Sequence, residues 1–350
     1  MKRWVLAAAL FATLGLLTVS GVRSASQVPS DTPKAKATPA TGGPVNIGGV
    51  AYQNLAQFVA TGRRCGTDEP NDLQINTTRA IMDQVRQNNA GVNIAEAIGR
   101  VQIPVCLHII HKGLVGDLTT DQINRQIAEL NRSYNGSGFD FLLKSVDRTD
   151  VADPAINKPR WFTMTLKSRD EREAKRKLGI DPSRNLNLYT ANLGGGILGW
   201  ATFPSELDGD EERDGVVILH SSFPGGSSKP FDLGRTTVHE VGHWLGLFHT
   251  FQGGCASPGD DIDDTPQQAD GPGKFLCDDA LDTCPEPGKD PVHNYMNYSP
   301  DACMTEFTPG QIARIKLQVT AFRLLLISSG NRAGIKISDA GVVVPPAATP

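Results

Sequence analysis

The chain has 350 residues, material for about two domains at ~150 residues each. Hydrophobic residues at 39% and charged residues at 21% exclude a wholly disordered chain and a multi-span membrane protein. Lys and Arg number 34 against 38 Asp and Glu, and this net charge of -4 removes any general electrostatic reason to bind nucleic acid or an anionic lipid surface.

Taken from the start, Lys2 and Arg3, an apolar run from Trp4 to about Val19 and small residues at 24–26 have the layout of a cleaved secretory signal over residues 1–25. Cleavage leaves no stable membrane association, and export makes disulfides permissible for the six Cys. Residues 26–50 carry too little apolar surface to offset the entropy of ordering, and read as a flexible linker. Order is expected weakly from Ala51 and firmly at residues 103–110 (IPVCLHII), a buried strand by length and apolar density. Ile123, Ile127 and Leu130 at helical spacing behind Thr119 predict a helix over 119–134. Residues 139–146, 161–166, 186–189, 197–203 and 216–220 read as further strands, with a short charged helix over 170–178. The pattern predicts a mixed sheet with helices packed on it. Past His249 the chain turns rich in Gly, Pro and Asp until Thr308-Pro309-Gly310-Gln311, which has the form of a capping box opening a last helix with Ile312, Ile315, Val319 and Phe322 on one face. The tail over 331–350 reads as disordered.

One segment carries chemistry. Residues 236–249 read TTVHEVGHWLGLFH, and positions four apart on a helix share a face, so His239 and His243 can aim ring nitrogens at one metal. Val238, Val241 and Leu245 fall on the opposing side, as a helix buried against a sheet requires. Gly246 takes a positive φ cheaply, letting the helix stop and bring His249 to the same metal. Three neutral imidazoles leave one position of a tetrahedral zinc open, the arrangement of a catalytic site. Glu240 stands beside them where an activated water needs a base. The alternative is a zinc-stabilised binding or adhesion module without turnover, for which a carboxylate at the open position has no use.

Residues 239–249 resemble the extended zinc motif of the metzincin metallopeptidases, and Asn294-Tyr295-Met296-Asn297-Tyr298-Ser299 resembles their Met-turn. Gly253-Gly254-Cys255, Asp264-Thr265-Pro266, Asp282-Thr283-Cys284 and Cys303-Met304-Thr305-Glu306-Phe307-Thr308 are similar to the pappalysin family, above all to its secreted microbial members. The resemblance spans roughly residues 101–326. It implies an α+β metzincin catalytic domain over 101–330, with a mixed twisted sheet and helices above the cleft and an irregular, disulfide-stapled lower part. It further implies a secreted zinc endopeptidase acting on proteins or peptides. His239, His243 and His249 would hold zinc, Glu240 would act as general base and acid, Met296 would form an apolar floor, and Tyr298 would stabilise the oxyanion.

Four Cys admit three pairings, and the resemblance selects Cys255 with Cys284 and Cys277 with Cys303. The acidic run over 259–265 offers Asp260, Asp264 and Thr265 as oxygen ligands for calcium, as the family's equivalent loop does. Gly199, Trp200 and Ala201 resemble the family's edge strand, where an extended substrate adds as one more strand. The resemblance to microbial relatives, often selective for basic residues, implies with Asp301 just past the Met-turn a preference for Arg or Lys after the scissile bond; otherwise Asp301 caps its loop. His108, His111, His220 and His293 have no matching metal spacing.

Cys65, in Arg63-Arg64-Cys65-Gly66-Thr67, admits two readings. A thiolate is a strong zinc ligand, and relatives carry a similar Arg-Cys-Gly-Thr stretch in a pro-segment, which makes residues 51–100 a pro-segment and Cys65 its latency switch, released by a cut with Arg100 as the site. Otherwise Cys65 pairs with Cys106 outside the four-Cys cluster.

Overall fold

The computed structural model describes residues 43–333, 335 and 336; the expected signal, the linker up to residue 42 and the end of the tail lie outside the described residues. Order begins before Ala51. β1 (Val45–Ile47) and β2 (Val50–Tyr52) pair as an antiparallel hairpin, turned by Gly48 and Gly49 at φ 62° and 75°, the backbone that a two-residue primed turn demands. Ile47 and Tyr52 are buried against Phe58 and Leu198, which corrects the linker's end at residue 50: two well-placed apolar side chains outweigh a poor average composition.

After α1 (Leu55–Val59) the chain runs extended through Arg64 to Thr67 and enters α2 (Asp72–Asn88), opened by a capping box between Asn71 and Gln74. The sequence reading does not identify this helix, whose buried side chains are only Thr78 and Met82. α3 (Ile94–Ala97) follows.

The central sheet has the order β4-β3-β5-β7-β6. β3 (Val101–His111) lies parallel to β4 (Phe139–Asp150) and β5 (Leu186–Ala191), β5 lies parallel to β7 (Val216–Leu219), and β6 (Gly199–Ala201) closes one edge antiparallel to β7. β5 and β7 are buried throughout because both faces are covered, which is why they read as continuous apolar runs rather than alternating ones. α4 (Thr120–Ser133), capped by Thr119 and Gln122 as expected, crosses from β3 to β4. α6 (Arg235–Trp244) and α7 (Pro309–Phe322) pack with α4 on one face around Leu107, Leu188, Ile218, Val241 and Ile315. The other face buries Trp161, Phe162, Tyr189, Val217 and Trp200. α5 (Arg169–Leu178) and α8 (Ser329–Arg332) complete the set. Each fully buried Leu, Ile or Phe contributes about 1.5–3 kcal/mol, so this double-faced core dominates stability.

Three expectations need correction. Residues 161–166 do not form a strand: Trp161 ends a 3-10 turn opened by Pro159, Thr163 N–H bonds Arg160 O, and the backbone satisfies itself in turns while Trp161, Phe162 and Met164 bury. The strand expected over 197–203 is only Gly199–Ala201, since Phe203 N–H turns to the Glu206 carboxylate. The tail boundary at 331 is too early. Asn331 Nδ2 donates to Ile98 O at 2.7 Å, and Asn89 and Lys336 exchange two hydrogen bonds at 2.8 and 3.0 Å. Among the described residues no helix is long and apolar enough to cross a membrane.

Between His249 and Thr308 the only helical turn is Pro272–Phe275, and Cys255–Cys284 and Cys277–Cys303 staple this region in the pairing the resemblance implies. With Cys255 and Cys284 separated by 29 positions in the sequence, replacing both by Ser should cost about 3–4 kcal/mol on the chain-entropy model. A denaturant midpoint unchanged by the double substitution would show that the region is held by its side-chain packing instead.

Candidate active site

α6 is buried along its whole length, and His239 and His243 project from one side of it, one turn apart. Gly246 at φ 99° ends the helix; a Cβ there would lie 2.5 Å from the Gln318 side chain. The turn that follows returns His249 to the other two. The Nε2 atoms of His239 and His249 lie 3.2 and 3.1 Å from Nε2 of His243. Nδ1 of His239 faces Tyr295 O at 2.7 Å and Nδ1 of His243 faces Leu247 O at 2.8 Å. A carbonyl accepts only, so those two nitrogens carry the protons and the Nε2 atoms of His239 and His243 present lone pairs to one another. Such a convergence is repulsive unless a cation lies between them. The separations also match the ~3.3 Å between ligands that a tetrahedral ion imposes at nitrogen bonds of about 2.0–2.1 Å. Burial holds His239 and His243 well below the ordinary imidazole range and His249 down to about 3, so all three stay neutral ligands at working pH.

Met296, fully buried, packs against α6: its Sδ would lie 2.4 Å from a Cβ at Gly242. That contact explains the small residue between the two helical histidines. Glu240, 1% exposed, is pushed up to about 8 by burial, an effect opposed by hydrogen bonds from Cys65 and Thr67. β6 runs directly over it: a Cβ at Gly199 would meet Glu240 Cγ at 2.8 Å, so only glycine lets the edge strand approach the carboxylate. Tyr298 stacks edge-on against His249 at 5.0 Å and Phe251 at 4.8 Å between ring centroids. Burial raises its phenol well above the usual value.

The segment from Arg64 to Thr67 lies in this site. Cys65 bridges to Gly199 in parallel sense, with Leu198 N–H bonded to Arg64 O and Gly66 N–H to Gly199 O, both at 2.7 Å. The Cys65 sulfur and the three imidazoles all lie within 4.8 Å of one another, and the thiol donates to Glu240 Oε2 at 3.3 Å. Cys65 and Cys106 are both free, with Cys106 buried in β3, so the alternative disulfide is not formed. Thr67 Oγ1 donates to Glu240 Oε2 at 3.0 Å and accepts from Ala201 N–H at 2.9 Å. Arg64, 1% exposed, enters a pocket beside the histidines: Nη1 donates to Ser299 O at 2.8 Å and Asn297 O at 3.2 Å, and Nη2 lies 3.3 Å from Asp301 Oδ1. Asp301 also accepts from Leu233 N–H and Arg235 N–H, and burial pushes its carboxyl up to about 6.

The sequence reading singles out Cys65 but not Arg64 or Thr67, although the charge complementarity of Arg64 and Asp301 is visible in it. Trp200 is placed differently from a cleft residue. Its indole is buried in the far core and donates to Glu171 Oε1 at 2.6 Å, so at this position the edge strand offers only backbone. Asp260 and Thr265 meet, with Thr265 Oγ1 2.7 Å from Asp260 Oδ1. Asp264 turns away from them to accept from Thr308 Oγ1 and Gly310 N–H at the start of α7.

Comparison with known proteins agrees with this geometry. Residues 175–320 match the peptidase family described as Pregnancy-associated plasma protein-A. An extracellular metalloprotease of Pyricularia oryzae is 38% identical over 276 residues, covering 77% of this chain and 92% of that protein, and one of Neurospora crassa is 36% identical, covering 76% and 90%. Among solved structures, a promirolysin mutant from Tannerella forsythia superposes with a TM-score of 0.62 at 26% identity, covering 77% of this chain and 99% of that one. Mature mirolysin in complex with a cleaved peptide gives 0.57 at 28%, covering 67% and 98%. Likeness of this extent, over nearly the full length of each relative, leads to one conclusion: the chain belongs to the pappalysin family of metallopeptidases.

Proposed function

We propose that the protein is a secreted, latent zinc endopeptidase that cleaves peptide bonds on the amino side of Arg or Lys. The observation that carries the reading is the convergence of three buried imidazole Nε2 atoms beside a buried carboxylate. His239, His243 and His249 would hold a zinc ion, which when bound would supply Lewis acidity toward the scissile carbonyl and the attacking water. Glu240 takes the proton from that water and delivers it to the leaving amine; a carboxyl poised near neutrality suits both directions. Tyr298 donates a hydrogen bond to the oxyanion as the carbonyl becomes tetrahedral. The backbone of Gly199 to Ala201 receives the substrate as an added strand. Secretion is supported by the extracellular relatives.

Residues 51–100 are the pro-segment on this reading. Support comes from the contacts of Arg64, Cys65 and Thr67 and from the larger share of this chain covered by promirolysin than by mature mirolysin. Cys65 would fill the ligand position that the three imidazoles leave open on a bound zinc, while Arg64 takes the pocket with Asp301 and Thr67 bonds Glu240 and an edge-strand N–H. Arg100, on a side chain 78% exposed, marks the cut.

Mapping the N-terminus of the secreted protein and its cleavage sites in a proteome-derived peptide library, with and without chelator, tests the proposal. Cleavage that survives complete metal removal would sink it. The pocket itself is tested by Asp301→Asn, which keeps an acceptor for Leu233 and Arg235 while removing the charge. Cleavage before Arg should fall about tenfold to a hundredfold, the worth of one charged hydrogen bond, with apolar sites unaffected. In the wild type the same preference should fade below about pH 6, where Asp301 gains a proton.

A further inference from the structure

Lys274 is a buried cation for which the mechanism above has no use. It is 8% exposed, sits in the 3-10 turn Pro272–Phe275, and its Nζ lies 4.3 Å from the ring centroid of Phe251 and 4.8 Å from that of Tyr298. Among the described residues its one ion pair is with Asp270 at 2.6 Å, whose side chain is 57% exposed, so solvent screens the carboxylate more than it screens the ammonium's contact with the rings. Phe251 in turn stacks on His249 at 4.7 Å, and Tyr298 meets His249 and Phe275 edge-on or tilted at 5.0 and 5.2 Å. The ammonium thus closes an aromatic box whose other wall is a metal-ligating histidine. Arg64 also approaches the Tyr298 ring, at 6.0 Å, but it departs with the pro-segment, whereas Lys274 belongs to the catalytic domain.

We propose that Lys274 is a positioning residue for Tyr298: its ammonium holds the ring in place and, by drawing electron density from the ring, strengthens the phenol O–H as a donor to the oxyanion. The inference rests on the reading of Tyr298 as that donor. A cation on a desolvated aromatic face is attracted by the ring quadrupole, and a donor preorganised toward developing charge acts on the transition state rather than on substrate binding. The effect therefore belongs in kcat and not in KM.

The test uses the mature, processed enzyme carrying Lys274→Met, Lys274→Gln, Lys274→Arg, Tyr298→Phe, and Lys274→Met combined with Tyr298→Phe. Bound metal and thermal midpoint are measured on each, and kcat and KM on one Arg-containing peptide. Lys274→Met and Lys274→Gln should lower kcat about tenfold, with KM and metal content unchanged, the order expected for a buried cation–π contact. Lys274→Arg keeps the charge and stacks on the rings, and should recover activity to within about threefold. In the Tyr298→Phe background, Lys274→Met should change kcat by less than about twofold, because the hydroxyl it acts through is gone. An equal loss in both backgrounds, or no rescue by Arg, overturns the role of Lys274 while leaving Tyr298 in place. A Tyr298→Phe enzyme as active as wild type overturns the Tyr298 reading itself.

Discussion

Glu240→Ala should leave one metal ion bound per chain and lower peptide hydrolysis by about a thousandfold, within the 10²–10⁴ range of a lost proton shuttle. The prediction separates two jobs that the fold keeps physically apart. Nδ1 of His239 and His243 is anchored by backbone carbonyls of Tyr295 and Leu247, so removing the Glu240 carboxylate touches none of the groups that hold the imidazoles in register. What it removes is the one buried carboxyl on the open side of the cluster, with its proton affinity raised to about 8 by burial. The substitution also empties the space under Gly199 without adding bulk to the edge strand, so substrate binding should persist. Near-normal turnover at full metal occupancy would take Glu240 out of the mechanism, and loss of metal alongside loss of activity would make its role structural.

Cys65→Ala should yield a precursor that matures faster than wild type or shows activity before cleavage, and the contacts around it set the size of the effect. The thiol is one of several attachments: Arg64 keeps its two carbonyl partners and Asp301, Thr67 keeps Glu240 and Ala201 N–H, and two backbone bonds tie the segment to β6. Buried hydrogen bonds to charged groups are worth about 1.5–3 kcal/mol each, so Arg64→Ala on top of Cys65→Ala should speed maturation a further tenfold to hundredfold. N-terminal sequencing of the secreted protein over time, with a quenched peptide as activity probe, reads both steps. If the Cys65→Ala precursor is as silent as wild type and the double variant no faster, the segment does not confer latency. The parallel sense of Cys65 against Gly199, set against the antiparallel pairing of β6 with β7, also fixes which side of the site each residue from Arg64 to Thr67 reaches. The residue before Cys65 enters the Asp301 pocket.

The metal-binding helix was legible from the residues because its chemistry is local. His239, Glu240 and His243 are tied by helical periodicity, and Gly246 and His249 by a single turn, so spacing alone states the geometry. The same holds for the capping box at Thr308 and the Thr cap at Thr119, where a side chain satisfies a backbone N–H three residues on. The strand over 161–166 and the full length of 197–203 fail for the converse reason. Apolar alternation reports burial, and burial at Trp161 or Phe203 is met by turns whose backbone partners lie three residues away instead of on a neighbouring strand. α2 escapes notice because its helicity rests on packing against α7 rather than on a strong apolar stripe of its own.

By itself, then, the sequence determined the class of chemistry, the three imidazoles and the carboxylate beside them, since those groups sit within eleven residues of one another. Only the tertiary structure decided what surrounds them. Arg64 and Asp301 are 237 residues apart, Thr67 and Glu240 are 173 apart, and Trp200 and Glu171 are 29 apart. No local period links such pairs. Each is made by chain closure over the β6 edge or around the sheet, and is selected because a buried charge or hydroxyl must find its partner there or go without one.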